Sequence, residues 1–256
     1  SCRPDADHLL ISEIVTRPSG AEMIEIVNPT RIAVDLSSYW LSDSHLYFRV
    51  LSGGFSTASG SDFAARFPPG SNVGPGEYRT VALANASGGT LSFSAAYGTK
   101  PDFELRPTAN GSTGDPSVPD MLSAETMPSI GATASLTDAG EPVVLFYAAA
   151  DSPFVYDVDY VFFGTPSASN PAVDKSNEPG YLPDTEATSQ RAAPAPDETG
   201  SLHRCDRSES SEVGRGGNGL TGHDETSEDA SRSFVLTTSI ALRTPGGPPP
   251  PGACVN

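Results

Sequence analysis

The sequence predicts an all-β chain folded as a β-sandwich, and three observations carry that expectation. Its 24 Pro and 25 Gly are spread through 256 residues, which leaves little room for a helix to propagate, since Pro removes a backbone donor and Gly weakens a helix interior. Short runs rich in Ile, Val and aromatic residues recur between Pro, Gly, Asn and Asp turns, as strands do. No amphipathic helical period and no internal repeat competes with that pattern, so two packed β layers are expected.

HLLISEIV (8–15) and EMIEIVNP (22–29), separated by the turn residues PSG, read as a hairpin. In the second run Ile24 and Ile26 share one face, Glu25 lies opposite, and Asn28-Pro29 ends the strand. VDLSSYWLSDS supplies a third strand, with Trp40, the only tryptophan, as a core plug. The turn Gly74-Pro75-Gly76 announces a strand at 78–84, and residues 85–135, poor in large apolar side chains, read as an insertion of loops and short strands. Asp138-Ala139-Gly140 turns into a strand at 142–148. FVYDVDYVFFG follows, with Asp157 and Asp159 side by side on one exposed face at about 7 Å by strand rise. Residues 164–232 form a second insertion around a short strand in GSLHRC, and SFVLTTSIALRTPG (233–246) supplies the last strand. The expected organisation is an N-terminal tether at 1–8, one domain over 9–246, and a Pro-rich linker or tail at 247–256 in which nothing packs.

Against 15 basic residues stand 32 acidic ones, a net charge of −17, so the surface field repels phosphate polymers and nucleic acid is excluded as a partner. Cys2, Cys205 and Cys254 are widely spaced without CxxC, which argues against a closed structural zinc site and for an exported protein with one disulfide, Cys205 pairing with Cys2 or Cys254. Ser1-Cys2 has the small-residue-then-Cys form of a bacterial lipoprotein processing site, so membrane contact is expected only through lipidation of Cys2. The oligomeric state leaves no signal in the sequence.

LLISEIVTRPSGAEMIEIVNPTRIAVDLSSYWLSDS resembles the opening of the lamin tail domain family, with its Ile-Ser-Glu-Ile strand, its E-x-I-E-I-x-N-P strand, and V-D-L-S followed by W-x-L-S-D. PGEYRTVAL, LTDAGEPVVLFYA, YDVDYVFFG, GSLHR and RTPGG resemble the later segments of the family in the right order. The resemblance implies an immunoglobulin-like β-sandwich with long loop insertions. It implies no catalytic residues and makes Glu25, Asn28, Asp35 and Asp43 stabilisers of strands and turns. The variant with VDYVFFG, VDKS and a HDETSE loop is similar to exported proteins of myxobacteria, which implies a secreted, periplasmic or outer-membrane-anchored location in a Gram-negative bacterium. No heptad rod precedes the domain in these residues, and the acidic charge opposes the chromatin contacts of nuclear members.

The chemistry-bearing stretch is GHDETSED, residues 222–229. It lacks the Gly of an EF-hand, and HExxH, GxSxG and the phosphate-binding GxxxxGK[ST] pattern are absent. An irregular calcium site is expected from Asp224, Glu225, Glu228 and Asp229, joined by Asp157, Asp159, Asp174 or Asp184 if the fold brings them near. Zinc on His203, Cys205 and His223 is a weaker arrangement, because a disulfide competes for Cys205. The functional expectation is a non-catalytic exported module for adhesion, scaffolding or the binding of an extracellular protein or carbohydrate, stabilised by calcium. Its alternative is a metal-dependent extracellular hydrolase, or an accessory domain of one.

Overall fold

The computed structural model describes residues 5–57, 60–83, 92–105, 114–149 and 151–254. β1 (Leu10–Val15) and β2 (Met23–Val27) form the expected antiparallel hairpin, with Ile14 opposite Ile24. VDLSSYWLSDS, expected as a single strand, is two: β3 (Val34–Asp35) and β4 (Tyr39–Ser42). Asp35 Oδ1 accepts from the Ser37 backbone N–H and hydroxyl at 2.8 and 2.6 Å, an Asx turn that bends the chain between them.

The remaining strands are β5 (Ala64–Arg66), β6 (Asn72–Val73), β7 (Tyr78–Ala82), β8 (Phe103–Glu104), β9 (Gly140–Ala148), β10 (Val155–Gly164), β11 (Ser201–Arg204) and β12 (Phe234–Thr237). One sheet runs β12-β11-β1-β2-β7-β8, the other β10-β9-β4-β5, and β3 and β6 form a separate ribbon. All named strand pairs are antiparallel except β7–β8. Ile14, Ile24 and Ile26 of the first sheet meet Leu41, Val143, Leu145 and Val161 of the second in the main core. The architecture is the all-β, immunoglobulin-like sandwich expected.

The second sheet is buried on both faces, which is why PVVLFYA reads as an unbroken apolar run rather than an alternation. Its outer face carries Trp40, Val144, Phe146, Tyr160 and Phe162, covered by Tyr47, Phe48, Val50 and Val173 from two loops. Parts of the two supposed insertions are therefore structural. Val173 belongs to the covering layer, and Phe103, Leu105, Met121 and Ala134 belong to the main core. Residues 85–91 and 106–113 of the first insertion lie outside the described residues.

The terminal segments also depart from expectation. The supposed linker is held at two points: Pro250 is buried, and Cys254 is bridged to Cys205. The Pro250–Pro251 turn and β12, an edge strand, line a shared groove. Proline carries no backbone donor, so this cover shields the edge without adding another strand to it. At the other end Ala6 N–H donates to Arg207 O at 2.7 Å and His8 is buried, so residues 5–8 are docked rather than free. Cys2 lies outside the described residues.

On the outer face of the first sheet Glu13 and Glu25 sit directly opposite each other, a placement that like charges disfavour. The closing segment resolves it by crossing above them. Thr244 N–H donates to Glu13 Oε2 at 3.1 Å, Gly246 N–H donates to Glu25 Oε2 at 2.5 Å, and Ser12 Oγ donates to Glu25 Oε1 at 2.7 Å. Burial raises Glu13 to about 7 and Glu25 to about 8.

Trp40 is 5% exposed and stacks on Phe146 with centroids 5.8 Å apart. Trp40→Ala should cost about 3–5 kcal/mol in denaturant unfolding, as truncation of a buried large aromatic does. The glutamate pair gives stability a sign with pH. Both folded values lie above the ordinary 4.5, so their contribution is fully present below about pH 4.5 and is lost as pH rises through 7 to 8. The melting temperature should fall over that window, and Glu25→Gln, whose amide stays neutral, should flatten the fall.

Candidate metal centre

The chain between β11 and β12 returns across the end of the sandwich and meets the segment before β1. Its anchor is Arg204, the last residue of β11, 3% exposed. Its guanidinium donates to both oxygens of Asp159 at 2.6 and 2.7 Å, to Glu228 Oε1 at 2.7 Å and to the Ile11 carbonyl at 2.9 Å. It also lies over the Phe234 ring at 4.7 Å.

Asp159 and Asp157 do not form the exposed pair that strict alternation predicts. A register shift between them is a bulge in β10, and an extra residue reverses the side-chain faces beyond it. Asp159 turns to the first sheet, where Ile11 N–H also donates to it at 2.5 Å. Asp157 turns to the outer layer, where it accepts from the Tyr47 hydroxyl and from Lys175 Nζ at 2.8 Å. Lys175 is fully buried and also reaches Tyr47 Oη at 2.7 Å and Asp184 Oδ1 at 3.2 Å. Burial works to lower its pKa, and Asp157 and Asp184 outweigh that, so the amine stays charged.

The expected ligands separate into those spent elsewhere and those that converge. Asp224 accepts the hydroxyls of Thr226 and Thr185, Asp229 accepts that of Ser231, and Asp174 accepts the Ser176 N–H. Asp184 is held by Lys175, and Glu228 by Arg204. His203 lies on the outer face of the first sheet, 3.1 Å from the Leu242 carbonyl, and Cys205 is in the disulfide, which separates both from His223 chemically. Glu225 is different: it is 2% exposed, and its Oε1 meets no donor.

Around Glu225 stand three residues the sequence reading did not single out: His8, Glu209 and Glu212. Asp206 builds the turn that places the two glutamates, accepting from the N–H and hydroxyl groups of both Ser208 and Ser210. Burial alone would raise the Asp206 pKa, but these bonds bring it down to about 2. Glu209 sits at φ 45, a left-handed conformation uncommon for a residue with a side chain. Its Oε2 lies 3.0 Å from His8 Nε2. His8 Nδ1 lies 3.0 Å from the Leu9 carbonyl, which can only accept, so Nδ1 carries the proton and a neutral ring offers its lone pair at Nε2.

His223 enters from the returning loop, its Nδ1 3.0 Å from Glu212 Oε2 and its ring edge-on to His8 at 5.9 Å. Gly217 and Gly219 let that loop fold tightly: a Cβ on Gly217 would fall 2.1 Å from His223 O, and one on Gly219 would fall 2.8 Å from Glu225 Oε1. Three overlapping triads result, namely His8, Glu209 and His223; Glu212, His223 and Glu225; and Asp159, Glu209 and Glu225. Their donor atoms lie within 4.8 Å of one another in each. Bonds of about 2.0–2.2 Å to a central ion put donors roughly 3–4.4 Å apart, so small adjustments bring the donors of a triad onto one ion. An open depression lined by Asp5, Asp7, Glu209, Glu212 and His223 reaches the cluster from solvent.

The electrostatics follow from the census. Arg204 is committed to Asp159 and Glu228 and meets Glu209 at 3.9 Å, leaving Glu212 and Glu225, with the other oxygen of Glu209, beside the two imidazoles. Burial and then the repulsion of Glu209 raise Glu212 to about 8, and burial and neighbouring carboxylates raise Glu225 well above the carboxylate range. At His8 burial opposes charge but Glu209 prevails, raising the ring to about 9. Protons held on these groups offset the buried negative charge.

The lamin tail domain family model matches residues 3–151, more than half of the chain. The chain belongs to the lamin tail domain family. Of the cluster, His8 lies inside the matched stretch, while Asp159, Glu209, Glu212, His223 and Glu225 lie beyond it. The crystal structure of a DUF4876 family protein from Bacteroides thetaiotaomicron is similar at 15% identity and a TM-score of 0.46, covering 96% of this chain and 73% of that one. The search among curated proteins found no match.

Arg204→Met removes the counter-charge from Asp159 and Glu228 while keeping the stem. It should destabilise this lamin tail domain by about 3–5 kcal/mol in urea unfolding, the cost of stranding a buried charge. A loss under about 1 kcal/mol, the range of an exposed pair, would show that the site is open to water.

Proposed function

We propose that this lamin tail domain is a non-catalytic, exported surface module serving adhesion, scaffolding or the binding of an extracellular protein or carbohydrate. The observation that carries this reading is the fate of the aspartates best placed for acid-base chemistry. Asp157 is neutralised by Lys175 and Asp159 by Arg204, both buried and facing away from one another, so neither is available to a substrate at a cleft. The family supports it, since lamin tail domains are immunoglobulin-like modules without enzymatic activity. Export is supported by the Cys205–Cys254 bridge, because disulfides persist in oxidising compartments.

A second reading, a metal-dependent hydrolase or an accessory domain of one, is favoured by the His and Glu cluster beside an open depression. Turnover separates the two. The purified chain, assayed with ester, phosphodiester, peptide and glycoside substrates in the presence of Zn2+, Mn2+ or Ca2+, should show none above background, and should bind a glycan or surface-protein array saturably. Metal-dependent hydrolysis lost in Glu212→Gln would replace the first reading with the second.

Export has its own check. Protease added to intact cells should digest the protein, and non-reducing mass spectrometry should find Cys205 joined to Cys254. Cys254→Ser should cost about 2–4 kcal/mol, as opening a long loop does. Reduced cysteines in protein taken from its native cells would contradict an exported location.

A further inference from the structure

We propose that His8, Glu209, Glu212, His223 and Glu225 form a binding site for a first-row divalent transition-metal ion of the zinc class, which ties the segment before β1 to both loops that follow β11. The donor set decides the class. Calcium and magnesium select oxygen-only shells, whereas two imidazoles among carboxylates suit zinc, manganese, iron or cobalt. A calcium site built from the acidic loop, as the sequence suggests, has lost Asp224 and Asp229 to hydroxyl partners and Asp157 to Lys175.

Two further observations point at an ion rather than at a chance gathering of acids. Glu225, 2% exposed and shared by two of the triads, has an Oε1 that no donor meets, and Glu212 Oε1 is likewise without one. A buried carboxylate oxygen left unpaired is costly, and a cation is the partner its surroundings omit. His8 Nδ1 is fixed by the Leu9 carbonyl, the outer hydrogen bond by which metal-bound histidines set their tautomer and aim the other nitrogen. That nitrogen lies 3.0 Å from Glu209 Oε2, an ion pair while the ring holds its proton and two ligand atoms facing a common point once a metal displaces it.

The consequence is architectural. His8 precedes β1 and Glu209, Glu212, His223 and Glu225 follow β11, so an ion would cross-link the beginning of the domain to its late loops. The disulfide from Cys205 to Cys254 fastens the start of the same loop region. The site stands on its own geometry, and its failure would leave the proposed surface role untouched.

The test uses the full chain stripped with a chelator, reloaded with Zn2+, Mn2+, Co2+ or Ca2+, and passed through gel filtration before elemental analysis. At least one equivalent of Zn2+ or Co2+ should remain bound, and calcium should not displace it. X-ray absorption of the wild-type adduct should show imidazole scattering, which needs no variant. His8→Ala and His223→Ala should each weaken Zn2+ binding at least tenfold, with folding checked by circular dichroism, while Asp174→Asn should leave it unchanged. Failure of the wild-type chain to retain any transition ion, retention of calcium in preference to zinc, or an adduct without imidazole ligands would overturn the proposal.

Discussion

Arg204 is the joint on which the arrangement of this domain depends. Its guanidinium reaches a carboxylate on the second sheet, a carbonyl on β1 and a glutamate of the loop leading to β12, all from a side chain 1% exposed. Two sheets packed by apolar contact alone can slide, because burial is non-directional. A planar donor with several fixed partners cannot be satisfied in a second register. The bridge therefore supplies position where the apolar core supplies most of the stability, and the bulge that turns Asp159 inward is what makes it possible.

From that joint the rest of the site follows in sequence. With Asp159 and Glu228 neutralised by Arg204, the acids beyond them have no second buried arginine to answer them among the described partners. The glycine-rich return from 214 to 222 presses His223 and Glu225 toward Glu209 and Glu212. Acidic excess, which at a surface merely keeps a protein soluble, becomes a local demand for positive charge once it is enclosed. Lys175 answers a similar demand on the other side of β10, where Asp157 and Asp184 share it.

Much of the framework was legible in the sequence because it rests on local signals. Alternation and turn residues mark β1, β2 and β11, an apolar run after a turn marks β9, and a lone tryptophan in an apolar run marks a core position. The pairing of Cys205, left open between two partners, is settled in favour of Cys254. What the sequence hid is non-local. A bulge at Asp157–Asp159 costs one residue of register and reverses a face, with no composition signature. Lys175 and Val173 sit in stretches rich in Ser, Pro and acids, and nothing nearby marks them as covering an outer sheet face. His8, Glu209 and Glu212 come from opposite ends of the chain, so no spacing rule joins them. GHDETSED stands out in the sequence as one block, yet Glu225 and His223 face the cluster while Asp224 and Asp229 fasten turns.

The central claim, that a dry bridge from Arg204 through Asp159 to β1 fixes how the sheets sit, is tested most directly at one amide. Ile11 N–H donates to Asp159 Oδ2, a side chain of the other sheet rather than a backbone carbonyl. Native-state hydrogen exchange read at Ile11 should show protection lost only with global unfolding, equal to that of the central residues of β9. Exchange at Ile11 as fast as that of exposed loop amides, while β9 stays protected, would contradict the account.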